Sequence, residues 1–343
     1  MSAKTPPDPT RQLARIGLES VPLTIRNAGP DATRAFFEFF TATIRNKNTR
    51  MAYARACARF LDWCDGRGVR LEKIAPMTLA AYVEMLSNGL PGEDGTTDGG
   101  ENGGIPPMAP SSVKQHLAAI RMLFDWLATR HIVDVNPARS VKGPKHTVVE
   151  GITPAFDVKQ ARLLLESIDI SKPRGLRDRA LLASMIYTAA RVSAVCNLRV
   201  KDFAQDGSQW ILRFGEKGGK RRQIPCSSVL EKILREYIDA TGIGDAVDTP
   251  LFRTFTKSGR PTARGVSRVE AHYMLKSRLK KAGLPANLSS HSFRATTATD
   301  LLAQGIPLED VQYLLGHADP RTTRLYDRRK KEITRRIVER ISV

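Results

Sequence analysis

The chain has 343 residues, 41% of them hydrophobic and 26% charged, which is enough length for two domains with separate cores and an ordinary globular composition. Its charge is not ordinary: 54 Lys+Arg stand against 35 Asp+Glu, a net of +19. The apolar run Ala180 to Ala190, broken by Ser184 and Thr188, is a buried-helix length, well short of the roughly 18–20 residues that a membrane span needs.

Residues 1–30 are Pro-rich and polar, with no apolar signal-peptide core, and read as a flexible arm. A helix follows Asp31, with Phe36, Phe37, Phe39 and Phe40 on its apolar side. A second helix starts near Asn48–Thr49 and places Tyr53, Cys57, Phe60, Leu61 and Cys64 on one face before Gly66 and Gly68 stop it. Thr78 to Leu86 reads as a third helix. Asn88 to Pro110 is a Gly/Asp/Glu/Pro-rich loop expected to be mobile, and Ser111 or Ser112 to Thr129 is a fourth helix. These elements predict an all-α bundle over 31–140, followed by an extended linker, 141–154, that carries Lys142 and Lys145.

A second domain is expected over 155–343, with Asp157 as a helix N-cap. Helices are predicted at 157–168, 175–189, 228–241, 265–282, 291–304, 307–316 and 328–341, with a hairpin whose turn is Gly215-Glu-Lys-Gly-Gly-Lys220. The fold class is therefore mainly α with a small β-sheet in the second domain (α+β). This domain holds 35 Lys+Arg and 20 Asp+Glu, which leaves 19 and 15 for residues 1–154. Such a surplus on one domain fits a polyanion, nucleic acid ahead of an anionic membrane. The four cysteines (57, 64, 196 and 226) have no metal spacing and read as reduced core residues.

His291-Ser-Phe-Arg294 puts an imidazole and a guanidinium three residues apart on one helix face. Alone, that pair is explained as well by a solvated basic helix. It gains weight from what surrounds it: Arg191 after an apolar helix, Lys217 in the hairpin turn, Leu314-Leu-Gly-His317, and Tyr326 nine residues further on. The order Arg191, Lys217, His291-x-x-Arg294, His317, Tyr326 resembles the catalytic set of the tyrosine recombinases, the phage integrase and Xer-type family. Ser290-His-Ser-Phe-Arg294-Ala-Thr and Leu314-Leu-Gly-His-Ala-Asp-Pro-Arg-Thr-Thr-Arg-Leu-Tyr326 carry the likeness most specifically.

The chemistry agrees with the residue types. Attack on a phosphodiester adds negative charge to its non-bridging oxygens, and Arg191 and Arg294 suit those oxygens because guanidinium donors are paired and stay charged. By resemblance, Tyr326 is the nucleophile, His291 its general base and Lys217 the proton donor to the leaving 5′ oxygen. His317 binds the phosphate or positions the nucleophile. A 3′-phosphotyrosyl bond conserves the energy of the broken ester, so no metal, ATP or other cofactor is expected. The resemblance also implies a two-domain DNA clamp of a helical core-binding domain and a catalytic domain. It implies double-stranded DNA at specific recombination sites as partner, and a homo-tetramer on paired sites from monomers or dimers off DNA. A cytoplasmic, nucleoid-associated location follows, with no membrane contact.

DNA contacts are expected from the polar faces at Arg50, Lys114 and Arg121, from Lys142 in the linker, and from the basic stretch Lys220, Arg221 and Arg222. Two positions depart from the family pattern. Ala189 stands where a glycine usually precedes the first arginine, and Ala194 where an acidic residue usually supports it. A type IB topoisomerase uses much the same residues, and a DNA-binding protein with a decayed site would keep the fold; both are rival readings.

Overall fold

The computed structural model describes residues 13, 16–91, 104–145, 153–215, 221–317 and 319–327. The chain forms two compact units, Met1–Thr147 and Val148–Val343.

In the first unit, helix α1 (Leu23–Asn27) leads into α2 (Pro30–Glu38), whose proline at the first turn follows Gly29 at φ 102°. Helix α2 runs on into a π-helical turn, Phe39–Thr43. The wider turn keeps Phe39 and Phe40 inward together with Phe36 and Phe37; all four are buried. Helix α3 (Lys47–Asp65) starts slightly earlier than the apolar periodicity indicates because Asn46 is its cap: Asn46 Oδ1 accepts from the backbone of Asn48 at 3.0 Å and Thr49 at 3.2 Å. Helices α4 (Pro76–Asn88) and α5 (Pro110–Thr129) complete the bundle. Phe60 sits at its centre, 5.0 Å from Tyr82 and 6.2 Å from Phe124 in edge-on pairs. Burying each such ring contributes about 1.5–3 kcal/mol.

The bundle is larger than the predicted 31–140. Ile16 and Ile25 are fully buried, and Thr24 Oγ1 donates to Leu61 O at 3.0 Å, so 16–28 is core and not arm. The apolar residues here, Ile16, Leu18, Val21, Leu23 and Ile25, are interrupted by Gly17 and Pro22 and keep no single helical or strand period. The predicted loop 88–110 is pinned at both described ends, where Leu90 and Ile105 exchange backbone hydrogen bonds of 2.9 and 2.8 Å. Its middle, 92–103, lies outside the described residues.

In the second unit, Asp157 caps α6 (Val158–Glu166) as expected: its carboxylate accepts from Gln160 N at 2.7 Å, and Gln160 Oε1 accepts from Asp157 N at 3.1 Å. Helix α7 (Pro173–Thr188) is the central element. Gly175 lets it start close to the preceding chain, where a Cβ would lie 1.7 Å from Asp169 O. There follow α8 (Val192–Cys196), then β1 (Phe203–Asp206), β2 (Gln209–Gly215) and β3 (Arg221–Pro225) in a three-stranded antiparallel sheet of that order. Gly215 pairs with Arg221 at the end of the predicted hairpin. Lys217 and Lys220 fall in the connection 216–220, outside the described residues.

Helix α9 (Ser228–Thr241) precedes a second hairpin, β4 (Arg253–Phe255) with β5 (Pro261–Gly265). Helices α10 (Arg268–Lys281), α11 (Ser290–Ala303), α12 (Leu308–Leu315) and α13 (Pro320–Arg324) complete the described part. Helix α7 packs against α9 and α11. It also buries Asp178, which accepts from Arg177 Nε at 2.7 Å and from Arg278 Nη2 on α10 at 2.6 Å. The short elements α1, α8, α13, β1 and the β4–β5 pair went unpredicted. The helix expected from 265 begins at Arg268, after the Ser267 cap. The helix expected at 328–341 lies outside the described residues. Among the described residues no helix is long and apolar enough to cross a membrane.

Candidate active site

The site is assembled from three chain turns around one arginine. Helix α7 ends at Ala189, which is fully buried and left-handed at φ 48°, ψ 23°. The turn brings Arg191 out in extended conformation at the head of α8, with its side chain exposed. Arg294, on α11, is only 4% exposed. Its Nη1 donates to Ala189 O at 2.6 Å and its Nη2 to Leu315 O, at the end of α12. Helix C-terminal carbonyls lack intrahelical donors and lie at the negative end of the dipole, so a buried guanidinium is well placed there. One residue thus ties the Arg191 turn to the His317 turn.

Gly316 takes the left-handed cap of α12 (φ 62°), and His317 N donates to Gln312 O at 3.2 Å. The His317 ring is fixed from two sides. Nδ1 is 2.9 Å from Thr323 Oγ1 of α13, and the ring lies nearly parallel to that of Tyr326, centroids 6.1 Å apart at 12°. Tyr326 is half-buried against Ala189, Ala298, Leu302, Val311 and Leu315. Ala189 therefore does two things: its carbonyl holds Arg294 and its methyl lies in the cluster under Tyr326.

Burial, and then the Arg294, Arg191 and Arg222 guanidiniums, lower the His317 imidazole from its ordinary 6.5 to about 4. The folded chain therefore holds this ring neutral through the range in which the unfolded chain protonates it. The stability it contributes is full above 6.5 and is lost as pH falls from there toward about 4. His317→Gln is expected to flatten that acid-side loss in urea midpoints taken from pH 7 to pH 4. An unchanged slope would mean that His317 is not the group responsible.

The other expected site residues sit as follows. His291 is exposed in the first turn of α11, whereas Arg294 one turn on is buried, so the two do not present alike. Arg221 is exposed on β3, but Arg222 is 9% exposed and faces inward, its Nη1 donating to Leu314 O. The phosphate contact expected of Arg222 is thereby corrected: strand alternation sends neighbouring residues to opposite sides of the sheet, so Arg221 faces out and Arg222 faces in. Arg50 donates through Nε and Nη2 to Ile44 O at 2.9 and 2.8 Å, and Arg121 holds Ala138 O at 3.0 Å and also Val141 O. Both guanidiniums, expected at DNA, brace the first unit's own backbone. Lys114, Lys142 and Lys145 are exposed.

Sequence reasoning missed Thr323, which fixes the His317 ring, and the inward role of Arg222. The Ala194 position, where the family pattern has an acid, is buried beside a cleft of about 790 Å³. The charged lining of that cleft is Arg199, Lys201, Arg213, Arg221 and Arg222 with Asp202. Ala189 keeps the left-handed backbone that glycine usually supplies, at a strain of about 1–2 kcal/mol. Its buried methyl offsets about 0.8 kcal/mol of that. Ala189→Gly is thus expected to move unfolding stability by less than about 1 kcal/mol, and Ala189→Val, β-branched at positive φ, to lower it by about 2 kcal/mol or more. Equal effects of the two in denaturant titrations would contradict the backbone assignment.

The Phage integrase family model matches residues 155–332. The tyrosine recombinase XerD of Corynebacterium glutamicum is 30% identical over 287 residues, covering 81% of this chain and 86% of XerD. The tyrosine recombinase XerC of Pelobacter propionicus is 35% identical over 217 residues, 63% of this chain and 68% of XerC. Among solved structures, a post-cleavage complex of the XerH site-specific recombinase with palindromic difH substrate matches at TM-score 0.67 and 16% identity, covering 94% of this chain and 98% of that one. A lambda integrase dimer on a COC' core site matches at TM-score 0.61 and 16% identity, covering 86% and 93%. The chain belongs to the phage integrase family of tyrosine recombinases. It is a site-specific DNA recombinase, an enzyme that cuts and rejoins DNA.

Proposed function

We propose that the chain recombines duplex DNA through a 3′-phosphotyrosyl intermediate on Tyr326. The observation that supports this best is the Tyr326 ring lying 6.1 Å from the parallel His317 ring, where the Arg294 and Arg191 charges act. The Tyr326 phenolic oxygen forms a bond to phosphorus as the bond from phosphorus to the 5′ oxygen breaks. The phenolic proton passes to His291, and Lys217 supplies a proton to the departing 5′ oxygen. Arg191 and Arg294 stabilise the charge that builds on the non-bridging oxygens, and neutral His317 donates a hydrogen bond to the same phosphate. The 5′ hydroxyl of another strand then reverses the chemistry, so bond energy is conserved without ATP, metal or cofactor. The helical unit acts as a core-binding domain. The substrate is double-stranded DNA at specific recombination sites, worked on by a homo-tetramer assembled there from monomers or dimers in the cytoplasm. Lys114, Lys142, Lys220 and Arg221 contribute phosphate contacts.

A randomised pool of nicked duplexes supplies the test: members that the chain captures covalently are selected in EDTA, and the modified peptide is sequenced. The expected result is a nucleotide adduct on Tyr326. No adduct, or an adduct only with added magnesium, overturns the proposal. On the selected duplex, Lys217→Ala is expected to slow cleavage about 10²-fold or more, and a 5′-bridging phosphorothiolate, whose leaving group needs no proton, restores the rate. Restoration of Lys220→Ala instead would assign the proton donor to Lys220.

A further inference from the structure

Arg222 is buried on β3, a strand whose alternation places it with Ile224 on the inner side, opposite Phe214 of β2. Burying a guanidinium costs several kcal/mol unless charge or hydrogen bonds compensate it, so its destination is informative. Its Nη1 reaches Leu314 O, while Arg294 takes the next carbonyl, Leu315 O. Two guanidiniums from different elements thus grip consecutive carbonyls at the last turn of α12, two and three residues before His317. Phe214 lies under the Arg222 guanidinium at 5.7 Å and limits where it swings.

We infer that Arg222 is a positioning residue for strand cleavage: from the β-sheet it fixes the end of α12, and through it the His317 ring and the Tyr326 ring stacked on it. This rests on the phosphotyrosyl reading above and deepens it. It also replaces the expectation that Arg222 contacts backbone phosphate. The groups acting on His317 are Arg191 at the head of α8, Arg222 on β3 and Arg294 on α11, with Thr323 of α13 and Tyr326 against the ring. Losing one of these cations raises the histidine's affinity for a proton.

The test uses the full chain on the selected duplex, with Arg222→Met and Arg222→Lys. Binding affinity and its dependence on salt are expected to stay within about twofold of the parent. Cleavage at saturating DNA is expected to fall about 10²-fold for Arg222→Met, the scale of a displacement near 1 Å at a reacting group. Arg222→Lys, which keeps charge without the planar fork, is expected to fall about tenfold. The acid limb of the cleavage–pH profile is expected to move to higher pH in Arg222→Met and to stay in Arg222→Lys. If instead log K against log salt loses a slope of about 0.9 while saturated cleavage is unchanged, Arg222 is a phosphate contact and the inference fails. Should Arg222→Met not fold, Arg222→Lys decides, and saturated cleavage equal to the parent's overturns the inference. Failure of the underlying reading shows elsewhere, as an adduct on a residue other than Tyr326 in the parent chain.

Discussion

Tyr326→Phe is expected to bind the selected duplex as tightly as the parent chain and to form no SDS-resistant protein–DNA adduct. The substitution removes one oxygen and leaves the ring. The contacts of that ring, parallel to His317 and packed on Ala189, Ala298, Leu302, Val311 and Leu315, are those of an aromatic disc and do not require the hydroxyl. Stability and binding are therefore expected to change little, while the atom proposed to bond to phosphorus is gone. The comparison isolates chemistry from fold. A persistent adduct would reject Tyr326 as nucleophile. Tyr313 is a poor substitute on geometry, since it is 78% exposed on α12.

What could be read from the sequence divides by physical cause. Helices with a long apolar stripe were legible to within a few residues: α3, α5, α7, α9 and α11 each repeat apolar residues over three turns or more, and Asp157 is a cap with a partner three residues on. The short elements were not. Helices α8 and α13 are five residues each, too brief to show a period, and β4 and β5 lie in an Arg/Thr-rich stretch with no apolar alternation. The residue types of the site were visible because they recur in fixed order and spacing. Their second layer was hidden for a different reason. Thr323 meets His317 only when α13 folds back, and Arg294 meets Ala189 across 105 residues of chain. The basic residues 220–222 read as one surface stretch because charge outweighed strand alternation in that reading; counting by twos separates outward Arg221 from inward Arg222. Arg50 and Arg121 show the converse limit, since a polar helix face does not reveal which guanidiniums are occupied by backbone carbonyls.

Arg294→Lys is expected to lower both stability and cleavage, and the two losses are expected to separate. The guanidinium spans two acceptors on different turns, Ala189 O through Nη1 and Leu315 O through Nη2, at 4% exposure. An ammonium cannot span both in that geometry. One buried carbonyl is left without its donor, at about 1–3 kcal/mol, a large share of the roughly 5–15 kcal/mol that holds a domain folded. Arg294→Ala leaves both carbonyls and is expected to cost about 2–5 kcal/mol. If Arg294 were only a brace, cleavage would follow the folded fraction, and Arg294→Lys would approach parental rates at low temperature and saturating DNA. If it were only a phosphate donor, denaturant midpoints would not move. Under the proposed function it performs both tasks. Midpoints are therefore expected to fall, and cleavage by the fully folded Arg294→Lys protein is expected to stay about 10²-fold or more below the parent. The His317 and Tyr326 turns lose their shared anchor in the same step, so neither restored folding nor excess DNA recovers the rate.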